Sequence, residues 1–504
     1  MFEARRAWSE GHAPLYAPAF SFWEMLPGYL YLVIDWGLDF LSPHHDPLVI
    51  VRAAPAILGL IEILLFGLLS KKLIEQIRNQ DVGPSEMLAP MALYSLCPWH
   101  LLYSRIYGTC TGAGAWQMLL MLIVAGGSVL PHRRSSLKAL CLVSGLSLLW
   151  YTTLRIPVVF FLLQSLLKGL KRQAWAIAAS IPLTLTLVFL SGSPLARFFL
   201  RGTYNLETPD RDLVANYWGA LTAAFLGIDE RFSRFDDGFF ADWIHKAFLR
   251  ILSGRPLLST SLACVCAFAL ILIAIEAFRR KALPRLLVTA LGLAACLIAI
   301  LGAMGPSTSR LLLLLPLLGF VAVYLLERIG GMTRTLVSFT LLLGMAFEAG
   351  SVWTRLGDSA ALEDIFSRRV VEIARRIPEE IPPDESKATV WISAERFLQV
   401  LELEGRSGAF SAISPGDPIE IETMMRRRAR GGVQHVIFDL LPREDQALDL
   451  TKTDPRLRDF EKHLRYHAEV LSERSIPSVD GRGPLAHLLR IRWIHPFCFE
   501  NCHP

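Results

Sequence analysis

Long apolar runs recur between residues 51 and 350, each close to the length a helix needs to cross a bilayer. At 1.5 Å per residue, about 20 residues span the roughly 30 Å hydrocarbon layer. The runs lie near 51–70, 87–104, 113–130, 137–152, 154–168, 174–191, 258–278, 284–303, 311–327 and 333–350. They predict about ten spans. In lipid every backbone polar group has to be satisfied within the segment, so the predicted fold is a bundle of transmembrane helices. A hydrophobic content of 53% over 504 residues and a mean hydropathy of +0.40 agree with that reading.

The connections between runs alternate in charge. Lys71, Lys72 and Arg78 are followed by His132, Arg133, Arg134 and Lys138, then by Lys168, Lys171 and Arg172. Arg279, Arg280, Lys281 and Arg285 come next, and then Arg328 and Arg334. All fall on one side, which the positive-inside rule makes cytoplasmic. The other side, exoplasmic on this reading, receives the turns at Arg105, Arg155 and Arg310, residues 1–49, the long loop 192–257 and the C-terminal part of the chain. A net charge of +5 is too small to suggest a nucleic-acid partner.

Residues 1–49 lack the basic n-region and clean apolar core of a signal peptide. Phe22–Leu41 mixes Trp23, Glu24, Asp35, Trp36 and Asp39 into an apolar run and reads as helix at the membrane interface. If Val51 enters the membrane from outside, either a preceding span carries this segment across or the segment translocates unaided; a preceding span is the favoured expectation. After Ser351 the hydropathy collapses. Residues 351–504 read as a soluble α/β domain, with apolar β-rich runs at 389–393 and 433–439 among helix-like stretches at Arg368–Glu379, Ala394–Leu403 and Ile419–Arg430. It contains neither a Gly-x-Gly-x-x-Gly turn nor a P-loop.

Candidate chemistry gathers where the second run ends. The stretch Pro98-Trp99-His100 followed by Ser104-Arg105-Ile106-Tyr107 places aromatic, imidazole and guanidinium groups together at a membrane boundary. Any one of Arg105, Arg155 and Arg310 is accounted for by snorkelling to the interface. Three lone arginines in three exoplasmic turns also make an anion site. The eight cysteines show no metal-ligand spacing, and Cys498 and Cys502 beside His495 and His503 fit no standard zinc pattern. His44-His45-Asp46 reads as an interfacial loop rather than a ligand set. In the loop 192–257 carboxylates such as Asp210, Asp212, Asp229 and Asp236 alternate with Trp218, Phe239, Phe240 and Trp243, a mixture suited both to an acceptor entrance and to interfacial helices.

Pro-Trp-His-x-x-x-Ser-Arg-Ile resembles the third-helix signature of the polyprenyl-phosphate-sugar-dependent glycosyltransferases of the GT-C class, in the bacterial branch of the dolichyl-phosphate-mannose-protein-mannosyltransferase-like family 39. Further stretches match in order. Phe2-Glu3-Ala4-Arg5 through Gly11 and Pro14-Leu15-Tyr16 is similar to part of the first exoplasmic loop, and Arg52 through Leu60 to the start of the second helix. Gly145-Leu146-Ser147 with Tyr151 and Arg155-Ile156-Pro157 is similar to the fifth helix and its turn, and Ser309-Arg310-Leu311 with Pro316 to a late helix. The resemblance runs from about residue 2 to residue 327.

It implies a bundle around an exoplasmic cavity in which a polyprenyl phosphate delivers a sugar to a glycan, lipid or protein acceptor. The lipid phosphate is a substrate, so neither cofactor nor metal is implied. Arg105, Arg155 and Arg310, with His100 and Tyr107, would bind the donor, because departing phosphate needs cations and the arginine fork suits its oxygens. The family's acidic pair, the general base, would fall upstream of Met1, which leaves Glu3 as the nearest carboxylate. Where relatives that modify lipid A carry an Asp after Ser-Arg-Ile, this chain has Gly108-Thr109-Cys110-Thr111. Two other readings stay open: a transporter or flippase for a lipid-linked sugar, although no internal repeat is present, and a non-catalytic subunit that binds the carrier lipid.

Overall fold

The computed structural model describes residues 15, 26–41, 47–104, 112–125, 133–193, 258–304, 311–356, 381, 389–392, 411–413, 421–422, 425–426, 433–439, 455–477 and 484–494. The chain divides into two compact units, with the boundary at residues 361 and 362.

The first unit is helical throughout its described residues: α1 (Leu26–Leu41), α2 (Pro47–Arg78), α3 (Leu88–Ser95), α4 (Pro98–Tyr103), α5 (Ala113–Ala125), α6 (Arg133–Trp150), α7 (Arg155–Leu167), α8 (Lys171–Leu190), α9 (Thr260–Phe278), α10 (Arg285–Met304), α11 (Leu314–Ile329) and α12 (Gly331–Leu356). Among them Ala53–Arg78, Lys171–Leu190 and Thr260–Phe278 are long and apolar enough to cross a membrane by length and composition. Shorter apolar helices run over Ala113–Val124, Ser136–Trp150, Arg155–Leu167 and Arg285–Ile300. The 32 residues of α2 reach about 48 Å, so this helix outruns the hydrocarbon layer.

α2 and α11 form the centre of the unit. α2 packs against α1, α3, α4, α5, α10 and α11, while α11 also meets α9, α10 and α12. From Leu314 to Tyr324 every residue of α11 is buried. A helix apolar all round belongs inside a bundle, and this one lies there. Of the segment read as interfacial, the described part, Leu26–Leu41, forms α1, whose Tyr31 and Leu32 are buried.

The run read as one span at 87–104 is two short helices. A 3₁₀ turn, Pro84–Met87, leads into α3, which stops at Ser95, and α4 restarts at Pro98. Proline lacks an N–H and its ring clashes with the carbonyl four residues earlier, so no continuous helix passes through Pro98. The Leu96 and Cys97 amides are satisfied instead by the Ala92 and Tyr94 carbonyls, at 3.0 and 3.2 Å.

The second unit contains a five-stranded sheet in the order β2-β1-β3-β5-β4. Its strands are β1 (Val390–Ile392), β2 (Ser411–Ile413), β3 (Val433–Asp439), β4 (Ala468–Pro477) and β5 (Pro484–Trp493), with helix α13 (Pro455–His467) before β4. β1 runs parallel to β2 and β3, whereas β5 pairs antiparallel with β3 and β4. The two runs read as β-rich are β1 and β3. Val390, Ile421, Met425, Val436, Phe460, Leu464, Ala468, Leu489 and Ile491 form one buried cluster between sheet and helices. Phe460 and Leu464 lie one turn apart on α13, the spacing that turns one helical face inward.

Candidate functional site

The break before Pro98 sets the direction of α4 and, with it, the place of His100. The imidazole is 5% exposed and its ring centroid is 4.5 Å from that of Tyr94 on α3. Tyr94 stacks at 4.7 Å on Phe66 of α2, and Phe66 stacks at 4.9 Å on Phe320 of α11. Four rings from four helices thus form one column. Aromatic pairs at such separations contribute about 0.5–1.5 kcal/mol beyond their burial, so the column ties the PWH segment to the central helices.

Beside this column lies Glu62, the sole acidic residue between 51 and 70. Its Oε2 accepts from the Tyr94 hydroxyl at 3.3 Å and lies 3.5 Å from His100 Nε2, an ion-pair distance rather than a tight hydrogen bond. Its Oε1 accepts from the backbone N–H of Ala115, in the first turn of α5, at 3.2 Å. The amides of a helix N-terminus are open donors with positive partial charge, and a carboxylate is well placed there. Gly114 makes the approach possible, because a Cβ at that position would sit 2.9 Å from Glu62 Oε1. Intramembrane carboxylates are rare and usually serve a site. The signal was present as one glutamate inside an uninterrupted apolar run, yet the sequence reading did not single it out.

The described chain points next to the three turn arginines converge on the start of α5. Ser104, which precedes Arg105, packs so tightly on Gly59 of α2 that a Cβ there would lie 2.6 Å from the serine Cβ. Leu58, the residue before Gly59 in α2, lies against Gly112 just before α5, as does Trp150 at the end of α6. Trp116 of α5 lies 5.5 Å from Trp150. From Trp150 the chain runs through Tyr151 and a 3₁₀ turn, Thr152–Leu154, to Arg155, the half-buried first residue of α7. On the far side Gln117 of α5 donates to the Leu313 carbonyl at 2.9 Å, and Leu311 and Leu313, which follow Arg310 in the chain, are fully buried.

His100 and Arg155 are therefore placed by the structure. Glu3, Arg105, Tyr107 and Arg310 lie outside the described residues, as do His44, His45, Asp46, the carboxylates and aromatics singled out in the loop 192–257, and Cys498 and Cys502. Sets of metal-ligating side chains among the described residues occur in the second unit only.

The helices are those of an integral membrane protein, and the fold is one that solved structures share. The similarity is to crystal structures of ArnT from Cupriavidus metallidurans. With undecaprenyl phosphate bound, that protein superposes at a TM-score of 0.56 with 12% identity, covering 97% of this chain and 92% of its own. In the apo state the values are 0.53, 11%, 97% and 91%. No family model and no curated protein matches the sequence. At such low identity the likeness is one of fold.

Proposed function

We propose that this protein is a membrane glycosyltransferase that moves a sugar from an undecaprenyl- or other polyprenyl-phosphate carrier to a glycan, lipid or protein acceptor on the exoplasmic face. The observation that carries the reading is the shared fold, over 97% of the chain, with a protein crystallised with undecaprenyl phosphate bound. It is supported by the convergence of the chain points beside Arg105, Arg155 and Arg310 around the start of α5. On this reading about ten spans cross the bacterial cytoplasmic membrane, and residues 1–49, the loop 192–257 and the domain 351–504 lie on the exoplasmic side.

The three arginines hold the carrier phosphate and stabilise the charge that grows on it as the sugar departs. Arg155 brings its fork to the head of α7, where one side of its helix is already packed. His100, buried against Tyr94 and Glu62, acts as a positioning residue that fixes the helix end leading to Arg105 and Tyr107. Glu3 is the carboxylate assigned to the acceptor hydroxyl.

The test is to reconstitute the full chain in nanodiscs and measure two things in parallel: retention of undecaprenyl phosphate by native mass spectrometry, and transfer of labelled sugar from undecaprenyl-phosphate sugars. Binding with transfer supports the proposal. Binding with lipid-linked sugar crossing the bilayer and no transfer would make the protein a flippase. Binding alone would make it a carrier-lipid subunit, and failure to bind would remove the whole reading.

A further inference from the structure

The second unit holds a side-chain cluster that sugar transfer does not use. His463-Leu464-Arg465-Tyr466-His467 places two imidazoles four residues apart on α13, hence on one face of the helix. Their ring centroids are 4.4 Å apart. Opposite stands Glu422, buried, in helical conformation with its neighbour Ile421, with Oε2 2.6 Å from His463 Nε2. One ligand atom from each of Glu422, His463 and His467 lies within 4.8 Å of the other two.

The carboxylate is held from both sides. Its Oε1 accepts from Arg426 Nε at 2.6 Å, and the Arg426 guanidinium carbon lies 4.2 Å from the centre of the Trp493 ring. Below it Ile421, Met425, Phe460 and Leu464 pack in one core cluster, so the segments carrying the three side chains share one floor. His463 and His467 are half-buried, which leaves the outer side of the cluster accessible to water. A simple hydrogen bond from His463 to Glu422 accounts for two of the three groups and gives His467 no part. A metal ion accounts for all three.

We propose that Glu422, His463 and His467 form a binding site for one divalent transition-metal ion of the zinc type, with water in the open position. Two imidazoles and one carboxylate are a standard donor set for Zn²⁺, which binds nitrogen and oxygen at about 2.0–2.2 Å and so needs ligand atoms about 3.3 Å apart. The 2.6 Å pair opens and the wider pairs close by side-chain rotation. Arg426 then acts as the outer partner that orients a ligating carboxylate, a role whose loss costs metal sites roughly 10–100-fold in affinity. The bound ion clamps α13 to Glu422. The spacing hid this site from the sequence reading, because the third ligand stands 41 residues before the first histidine.

The experiment uses the full-length protein in detergent, stripped with a chelator and dialysed free of it. Equilibrium dialysis with Zn²⁺ is expected to give one ion per chain, and titration with Co²⁺ to give the visible absorption bands of a low-coordinate nitrogen–oxygen site. His467→Ala is expected to weaken Zn²⁺ binding by at least about 10-fold while leaving the circular dichroism and the metal-free melting curve unchanged, since the Glu422–His463 contact remains. Glu422→Gln, which keeps the shape of the side chain, is expected to lose binding as well. No stoichiometric Zn²⁺ on the wild-type chain, or binding that survives both substitutions, would overturn the proposal. Neither outcome bears on undecaprenyl phosphate retention.

Discussion

Two groups of arginines in the helical unit differ in the acidic residues that the chain supplies around them. Where α2 ends, Arg78 meets Glu86 of the 3₁₀ turn at 2.9 Å and Glu327 of α11 at 2.8 Å; Arg334 of α12 meets the same two carboxylates at 2.8 and 2.7 Å. The result is a closed ring of two cations and two anions linking four chain segments. The arginines of the turns have no such supply of acid nearby in the chain: residues 87–206, which include Arg105 and Arg155, contain no Asp or Glu, and neither do residues 277–326 around Arg310. Both groups would be counted alike in a tally of basic residues. The first is a structural clasp, whereas on the proposed function the second supplies its charge to the carrier phosphate.

The largest effect is expected from opening the clasp. Glu327 is 3% exposed, and Glu327→Ala would leave Arg78 and Arg334 sharing one carboxylate. Removing one member of a buried ion pair costs about 3–5 kcal/mol. The expected outcome is a fall in the melting temperature and yield of the purified protein, with undecaprenyl phosphate retention per folded molecule unchanged. A loss of lipid binding without a loss of stability would show that the comparison is drawn in the wrong place.

Arg155→Ala is the converse case. It is expected to lower sugar transfer by about 100-fold, the typical cost of deleting one donor to a developing charge, with little change in melting temperature. Arg155→Lys should recover only part of the loss, because an ammonium keeps the charge but not the planar fork. Full recovery by lysine would mean that the residue only snorkels.

Tyr94→Phe removes the hydroxyl that donates to Glu62 and keeps the ring in its column between Phe66 and His100. The expected cost is about 1 kcal/mol, the usual net value of one such hydrogen bond. Tyr94→Ala also breaks the stack and should cost about 3–5 kcal/mol. Thermal melts in detergent of the two variants separate the two contributions.

Hydropathy made the helical unit legible, since apolar runs in lipid have few alternatives to helix, and the order of residues at 98–106 pointed to a fold that the ArnT structures share. β1 and β3 were legible as short apolar runs rich in β-branched residues. What escaped was whatever depends on contacts between distant segments. Glu62 is partnered by Tyr94 and Ala115, 32 and 53 residues later, and no local pattern announces either. Arg78 and Arg334 were readable as orientation signals, but Glu327 comes 249 residues after Arg78. The β4–β5 hairpin escaped for a local reason. Ala468–Pro477 carries Glu469, Ser472, Glu473, Arg474 and Ser475, and a register shift between Val470 and Ser472 breaks the alternation that would mark a strand.

The smallest expected effect sharpens the comparison through pH. Glu86 lies outside the spanning helices, and its hydrogen bond from Arg78, followed by that from Arg334, holds its carboxyl below the ordinary glutamate value of 4.5. A carboxyl whose folded value is depressed contributes stability that is fully present above the unfolded value and is lost as pH falls through the folded one. The clasp should therefore hold its full strength above pH 4.5 and weaken progressively below it, because protonated Glu86 no longer balances two guanidinium groups. Melting temperatures of wild type and Glu86→Gln should differ by a constant amount above that value and converge below it. Curves that stay parallel through the acid range would mean that the arginines draw their compensation from Glu327 alone, and the clasp would then be a three-membered contact rather than a ring.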